Sequence, residues 1–288
     1  MAAAAAALGA TGIRTLNDGE FRFLSDFVLQ HCGITMGEHK RQLLQGRLQR
    51  RLRALDLGSF EEYCELLRND PARELGAFIS AVSTNVTAFF REPHHFDYLA
   101  GQLATWLRER PRERLRIWSA GCSTGEEAYS LAMVLAEALE KHHATTDALI
   151  LATDLSPAAL ETARGGVYPV ERLGGVSPER RHRWFQRGSG AHAGLARVHP
   201  RLMDLVRVRP LNLIESWPMH GTFDAIFCRN VVIYFDVPAR KRLFQRFDGA
   251  LQPHGKLFLG HSETMHGLSD RFALIGQTIY AKDGRTEP

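Results

Sequence analysis

Apolar residues recur at three- and four-residue spacing through the first third of the chain, and the rhythm then changes. Over residues 21–30 they fall at helical spacing, with Asn17 and Asp18 ahead as caps and Gly33 behind as a stop. Residues 40–55 place Leu44, Leu48, Leu52 and Leu55 on one stripe. Gly58-Ser59 interrupts that run, and Ser59 with Glu62 forms a capping-box pattern for the next helix. Pro71 punctuates again before an apolar stretch at 75–82. The pattern predicts an all-helical N-terminal domain over 17–85.

From about residue 114, short apolar runs alternate with helical periodicity. Residues 115–120, 148–153, 223–228 and 256–260 read as buried strands, and 272–281 as a last strand. Helices are predicted over 127–139, from Ser156-Pro157 (Ser as cap, Pro at the first position), and after Asp236-Val237-Pro238. Strand–helix alternation predicts an α/β domain over 86–285, its sheet mainly parallel and covered by helices. Residues 166–210 break the rhythm around the glycine-rich stretch 187–194, which reads as a small β insertion.

Composition narrows the class. With 288 residues, 44% hydrophobic and 24% charged, the chain suits a soluble globular protein of one large or two ordinary domains. Its apolar runs are too short to cross a bilayer. The alanine run after Met1 has no basic region ahead of it, so it makes a poor signal peptide, and residues 1–16 read as a disordered lead. The four cysteines are dispersed without metal-ligand spacing, which fits reduced thiols in a cytoplasm. A net charge of +4 favours an acidic partner but is too small to indicate nucleic acid. His94-His95 and His142-His143 lack metal-ligand context and read as surface histidines, and no metal site is predicted.

The candidate chemistry centres on residues 116–130, where a buried strand runs into small residues, then Glu126 and Glu127, then a helix. Ligands of open α/β sheets sit at such strand ends. Adjacent carboxylates repel phosphate and attract cations, so a ligand carrying a cation and no phosphate fits, and S-adenosylmethionine is one. Either acid suits the ammonium of the methionine moiety, and either suits the positive end of the helix, so spacing alone does not assign them. Asp154 ends the second predicted strand. Alone it reads as a helix cap; beside the 121–127 loop it reads better as a ribose ligand. Arg229 and Asn230 end the strand at 223–228, with Tyr234 four residues on, either lining the site or closing a strand end with Tyr234 in the core. Asn85, Thr87 and Arg91 alternate with apolar residues ahead of the sheet, as a segment closing over a cofactor or as a plain connector. Lys40, Arg41, Arg47, Arg50, Arg51 and Arg53 carry one sign of charge without interleaved acids, which suits an acidic partner.

Five stretches together resemble the chemotaxis receptor glutamate methyltransferases, the CheR family: residues 84–92, 118–127, 223–230, 233–236 and 260–263, in the family's order. The resemblance implies a Rossmann-like class I S-adenosylmethionine-dependent methyltransferase domain with an all-helical N-terminal domain and a small antiparallel β subdomain at about 170–210. It implies cofactor contacts at Asn85, Thr87, Arg91, Glu127, Asp154, Asn212, Leu213, Arg229 and Asn230. Arg91 and Tyr234 fall where the transferred methyl is flanked. The basic helix matches the one that docks chemoreceptor cytoplasmic helices. The 187–197 loop, with Arg187, Gly188, Gly190, Gly194 and Arg197, looks like that of members binding a receptor's C-terminal peptide. The expected protein is bacterial, cytoplasmic, recruited to membrane receptors, and neither binds nucleic acid nor inserts into the membrane. Ala128 stands where the family usually has proline, which only loosens a helix start.

A glutamate carboxylate, with an ordinary pKa of about 4.3, is already a nucleophile at neutral pH and needs no general base. The expected catalysis is therefore alignment in a dry site. The competing expectations are a methyltransferase for another substrate and a non-catalytic cofactor-binding adaptor. Asn230 is followed by Val-Val-Ile-Tyr rather than the Pro-Pro-aromatic turn of many amide-nitrogen methyltransferases.

Overall fold

The computed structural model describes residues 15–282, and the chain divides into two compact units. Most of the expected lead lies outside the described residues. Its last residue, Leu16, does not fray: it is 5% exposed in a helical core, and its N–H donates to Gln45.

The first unit comprises residues up to Thr84 with 155–158 and 234–236. Its helices are α1 (Asp18–Cys32), α2 (Arg41–Ala54), α3 (Phe60–Asn69) and α4 (Pro71–Val82). Each start has a local cause. Asn17 and Glu20 exchange side-chain-to-backbone bonds of 2.8 Å, the reciprocal capping box. Ser59 caps α3, and Asp70 with Pro71 opens α4. Gly33 ends α1 at φ +70°, a conformation that favours glycine. Leu44, Leu48 and Leu52 all face the core, where they meet Phe60, Tyr63 and Phe78. Truncating such a leucine costs about 2–5 kcal/mol. Glu74, 2% exposed, is held there by Arg51 (2.6 and 2.9 Å) and by the Tyr63 hydroxyl (3.0 Å).

The second unit is built on a seven-stranded sheet. It contains β1 (Leu115–Ala120), β2 (Ala148–Asp154), β6 (Val206–Pro210), β7 (Phe223–Cys228), β8 (Leu251–Leu259), β9 (Phe272–Gly276) and β10 (Ile279–Lys282). The order is β6-β2-β1-β7-β8-β10-β9. β6 through β8 pair in parallel, and β10 is antiparallel to both β8 and β9. β1 and β7 are buried along nearly their whole length because helices cover the sheet. α5 (His94–Glu109) and α6 (Glu126–Lys141) pack on one another, and their apolar faces join the core with Ile117, Ile150 and Phe227.

Three expectations need correcting. Residues 272–281 form a hairpin rather than one strand, turning at Gln277-Thr278, with Thr278 at φ +52°. Residues 206–210 belong to the large sheet, so the insertion is shorter: β3 (Val167–Pro169), β4 (Phe185–Arg187) and β5 (Leu195–Val198), antiparallel in the order β3-β5-β4. α5 has no counterpart among the predicted elements.

Candidate functional site

In the sheet order β1 lies between β2 and β7; the connection leaving β1 runs to β2, and the one leaving β7 runs the opposite way to β8. The carboxyl end of β1 is therefore a topological switch point, where open α/β sheets bind ligands. The loop leaving it is bent tightly: Gly121 and Gly125 have φ +94° and +99°, and Ser123 lies at +50°. A Cβ on Gly121 would lie 2.4 Å from Val231 Cγ2, and one on Gly125 would lie 2.8 Å from the Tyr168 hydroxyl. Both N–H groups of Gly121 and Cys122 donate to the Thr153 carbonyl at 2.8 Å. The loop is thus tied to β2. One residue on, Ser123 N–H donates to Asp154 at 2.8 Å, and the Ser123 hydroxyl donates to the Asn85 carbonyl at 3.2 Å. Asn85, the β1 loop and Asp154 therefore meet.

A second group meets beside it. Glu127, 9% exposed, accepts from Ser119 Oγ at 2.6 Å and from Arg229 at 3.2 Å. Burial pushes its carboxyl pKa up, and the Arg229 charge opposes that rise. Arg229, 6% exposed at the end of β7, also reaches Glu92 at 3.2 Å and donates to the Arg91 carbonyl. Burial opposes ionisation of Glu92 as well, but hydrogen bonds from His261 and the Arg229 charge hold its pKa below the usual range. The Arg91 guanidinium donates to the Val86 carbonyl at 3.1 Å, closing its own turn.

Asn230, at φ +60°, gives its N–H to Glu263 at 2.8 Å. Glu263 also takes the N–H of Gly260 at 2.6 Å and that of Ile233 at 3.3 Å. Burial raises its pKa against these bonds. Asn212 is bonded to Glu215, and Leu213, 7% exposed, offers its carbonyl to Arg246; the chain just before them is anchored by Leu211 N–H on the Asp154 carbonyl. The Thr87 carbonyl accepts from Arg172 at 3.4 Å. Tyr234 is counted with the first unit, where its carbonyl accepts from Thr35 N–H at 3.1 Å.

The basic residues of 40–53 divide in two. Arg41 pairs with Asp18 and Glu38, Arg47 donates to Val82 and Thr84, and Arg51 holds Glu74, so these are engaged in the helical unit. Arg50 and Arg53 are exposed, and Lys40 is half-buried on the Thr35 carbonyl. In the small sheet Arg187 and Arg197 are both exposed, opposite Ala196 and Gln186 respectively, which puts them on alternate faces. Gly188 is required by packing, since its Cβ would lie 2.1 Å from the His192 carbonyl oxygen. Gly190 and Gly194 take φ of +56° and +85°.

Sequence reasoning missed Ser119, Ser123, Glu92 and the role of Glu263, although 260–263 was among the matching stretches. It also placed His94-His95 at the surface. His95 is 0% exposed, with Nε2 against the Gln277 carbonyl (3.0 Å) and Thr278 Oγ1 (3.1 Å). Glu92, His94 and His95 bring one ligand atom each within 4.8 Å of one another. The Arg229 guanidinium already supplies a cation to that carboxylate. Burial first, then the Arg229 charge, lowers the His95 pKa to about 4 from an ordinary 6.5. A buried neutral histidine gives its full stability above pH 6.5 and loses it as pH falls toward 4. The loss is no more than about 3 kcal/mol. Urea melts of the wild type and His95→Phe across that window should show a steep wild-type slope and a flatter variant.

The loop is too crowded at Gly121 and Gly125 for a Cβ, it is bonded to Asp154, and Glu127 follows two residues past it. Comparison with known proteins gives the family. The CheR methyltransferase SAM binding domain matches residues 85–281, and the CheR methyltransferase all-alpha domain matches residues 19–83. The chain is 46% identical over 268 residues to the chemotaxis protein methyltransferase of Escherichia coli K12, covering 92% of this chain and 91% of that protein. It is 46% identical over 264 residues to chemotaxis protein methyltransferase 2 of Pseudomonas aeruginosa PAO1, covering 91% and 92%. It is 41% identical over 257 residues to a probable chemotaxis protein methyltransferase of Rhizobium etli, covering 88% and 96%. With both regions matched in order and identity of this level along nearly the full length, the chain belongs to the CheR methyltransferase family.

Proposed function

We propose that the chain is a protein-glutamate O-methyltransferase. Its reaction gives glutamate methyl esters on chemoreceptor cytoplasmic helices, with S-adenosylhomocysteine as the other product, for adaptation in chemotaxis. The observation that carries the reading is the presence of both family regions, in order, over residues 19–281. S-adenosylmethionine supplies an electrophilic methyl group on a sulfonium.

The chain's own residues hold and align. Asp154 would accept from the ribose hydroxyls, and Glu127, kept in place by Ser119 and Arg229, would face the ammonium. Asn85 and Thr87 would close the segment over the nucleoside, with Asn212 and Leu213 at the far end and Arg229 and Asn230 beneath. Arg91 and Tyr234 would orient the incoming carboxylate without neutralising it, since a tightly paired carboxylate is a poor nucleophile. Lys40, Arg50 and Arg53 suit an acidic receptor helix. Arg187 and Arg197 with the glycines at 188, 190 and 194 suit a receptor C-terminal peptide. Docking of this kind recruits the protein to receptors from the cytoplasm. Support for the proton-free mechanism is chemical: the nucleophile is ionised at neutral pH.

The test is incubation with methyl-labelled cofactor and receptor cytoplasmic fragments. Label should enter the receptor and leave as methanol in mild alkali, as an ester does. Alkali-stable label would point to nitrogen methylation and overturn the reading.

A further inference from the structure

Arg172 lies in none of the stretches that mark the family, and it touches two of them. It sits in the 3-10 turn Val170–Gly175 that follows β3. Its Nη2 is 2.5 Å from Oε1 of Glu126 and 3.4 Å from the Thr87 carbonyl oxygen. Glu126 opens α6 with a side chain that is 0% exposed, while that of Arg172 is 36% exposed. The other Glu126 oxygen accepts from Thr124 Oγ1 at 2.6 Å. One guanidinium therefore joins the small-sheet insertion, the start of α6 and the segment 85–92.

Neighbouring contacts make the junction stiff. Tyr168 of β3 donates its hydroxyl proton to the Thr124 carbonyl at 2.7 Å. A Cβ on Gly175 would lie 2.2 Å from the Phe89 carbonyl oxygen, so the 3-10 turn and the 85–92 segment touch backbone to backbone. The Phe89 ring meets Tyr168 and Phe185 edge-on at 5.1 and 5.5 Å. On the other side, Phe90 N–H donates to Ser130 Oγ at 3.0 Å, and Ser130 donates to the Glu126 carbonyl at 2.7 Å. The segment is thus gripped from the insertion and from α6, and the Glu126–Arg172 pair spans the two grips.

We propose that Arg172, acting with Glu126, is a positioning residue for cofactor binding: it fixes the Asn85–Phe90 backbone over the loop that leaves β1. This rests on the reading that those two segments hold the cofactor. Both contacts fall on one guanidinium nitrogen, and guanidinium suits the task because its delocalised charge is more weakly hydrated than an ammonium and loses less when paired with a buried acid. The buried carboxylate loses its counter-charge if Arg172 goes.

The test uses the full-length protein with Arg172→Gln, Arg172→Lys, Glu126→Gln and the double variant Arg172→Gln/Glu126→Gln. Calorimetry with S-adenosylhomocysteine reads binding, and steady-state assays read kcat and the cofactor KM. Arg172→Gln and Glu126→Gln should each raise Kd and KM about tenfold, equivalent to about 1.4 kcal/mol and near the lower figure for a charged hydrogen bond. Saturated kcat should stay within about twofold, Arg172→Lys should fall between wild type and Arg172→Gln, and the double variant should be no worse than the single ones. Hydrogen exchange at residues 86–90 should quicken in step. A merely structural pair would lower the melting temperature and leave the KM-to-kcat split untouched. Should all the variants bind within about twofold of wild type while Asp154→Ala loses binding, Arg172 positions nothing and the cofactor reading stands. If Asp154→Ala also binds normally, the cofactor lies elsewhere, and both fall.

Discussion

Replacing Arg229 with methionine is expected to destabilise the second unit by about 3–5 kcal/mol, the usual cost of stripping the cation from buried acids. Arg229 lies 3.2 Å from both Glu92 and Glu127, and its side chain is 2% exposed. Without it, the buried carboxylate of Glu127 and the partly buried one of Glu92 face each other with no guanidinium between them. Burial already pushes the Glu127 pKa up, and losing Arg229 pushes it further in the same direction. The loss spreads to the Arg91 carbonyl, which Arg229 also holds, so cofactor binding should fall with stability. Lysine at this position should not rescue, because one ammonium cannot span two acids and a carbonyl. Adding Glu127→Gln to the methionine variant should recover part of the stability, since a neutral amide does not repel Glu92. Urea titrations of the four proteins decide the matter; a methionine variant as stable as wild type would refute the account.

The second large effect belongs to Gly121. Alanine there meets Val231 Cγ2 at 2.4 Å and has to hold φ +94°. Overpacking costs about 1–3 kcal/mol and a left-handed backbone about 1–2 kcal/mol, together about 2–5 kcal/mol. The loop carries two backbone bonds to Thr153 and one to Asp154, so the strain should appear as lost cofactor affinity before it appears as unfolding. Adding Val231→Ala to Gly121→Ala should remove the steric part and leave the backbone part. A double variant no better than the single one would show that the clash is not the cause.

The first unit is the most legible in the sequence. The leucines at 44, 48 and 52 announce one buried face, and all three are at most 1% exposed. The sheet is legible where its strands are apolar on both sides, as β1 and β7 are. It is less so at its margins. β6 reads Val-Arg-Val-Arg-Pro, an alternation that a half-exposed strand of either sheet would show, and only its pairing with β2 decides. α5 carried a usable signal in Phe96, Leu99, Leu103 and Trp106, all buried, beneath two histidines that suggested a surface. The meeting of Asp154 with the loop after β1 was legible because the two stand at the ends of successive apolar runs that read as strands. Glu92 was not, because its partners, His261 and Arg229, lie 169 and 137 positions away in the chain. Arg172 had no local signal at all; its importance lies in what the fold brings beside it.

Helix α6 has sixteen residues, twelve of them buried, with Glu126 and Glu127 among the twelve. The same rod is keystone to the domain's interior and the mount for both acids beside the loop that leaves β1. A substitution in it that retunes one duty therefore disturbs the other. Arg187 and Arg197 stand exposed on the three-stranded insertion, where exchanging them should leave the packing of the rod undisturbed.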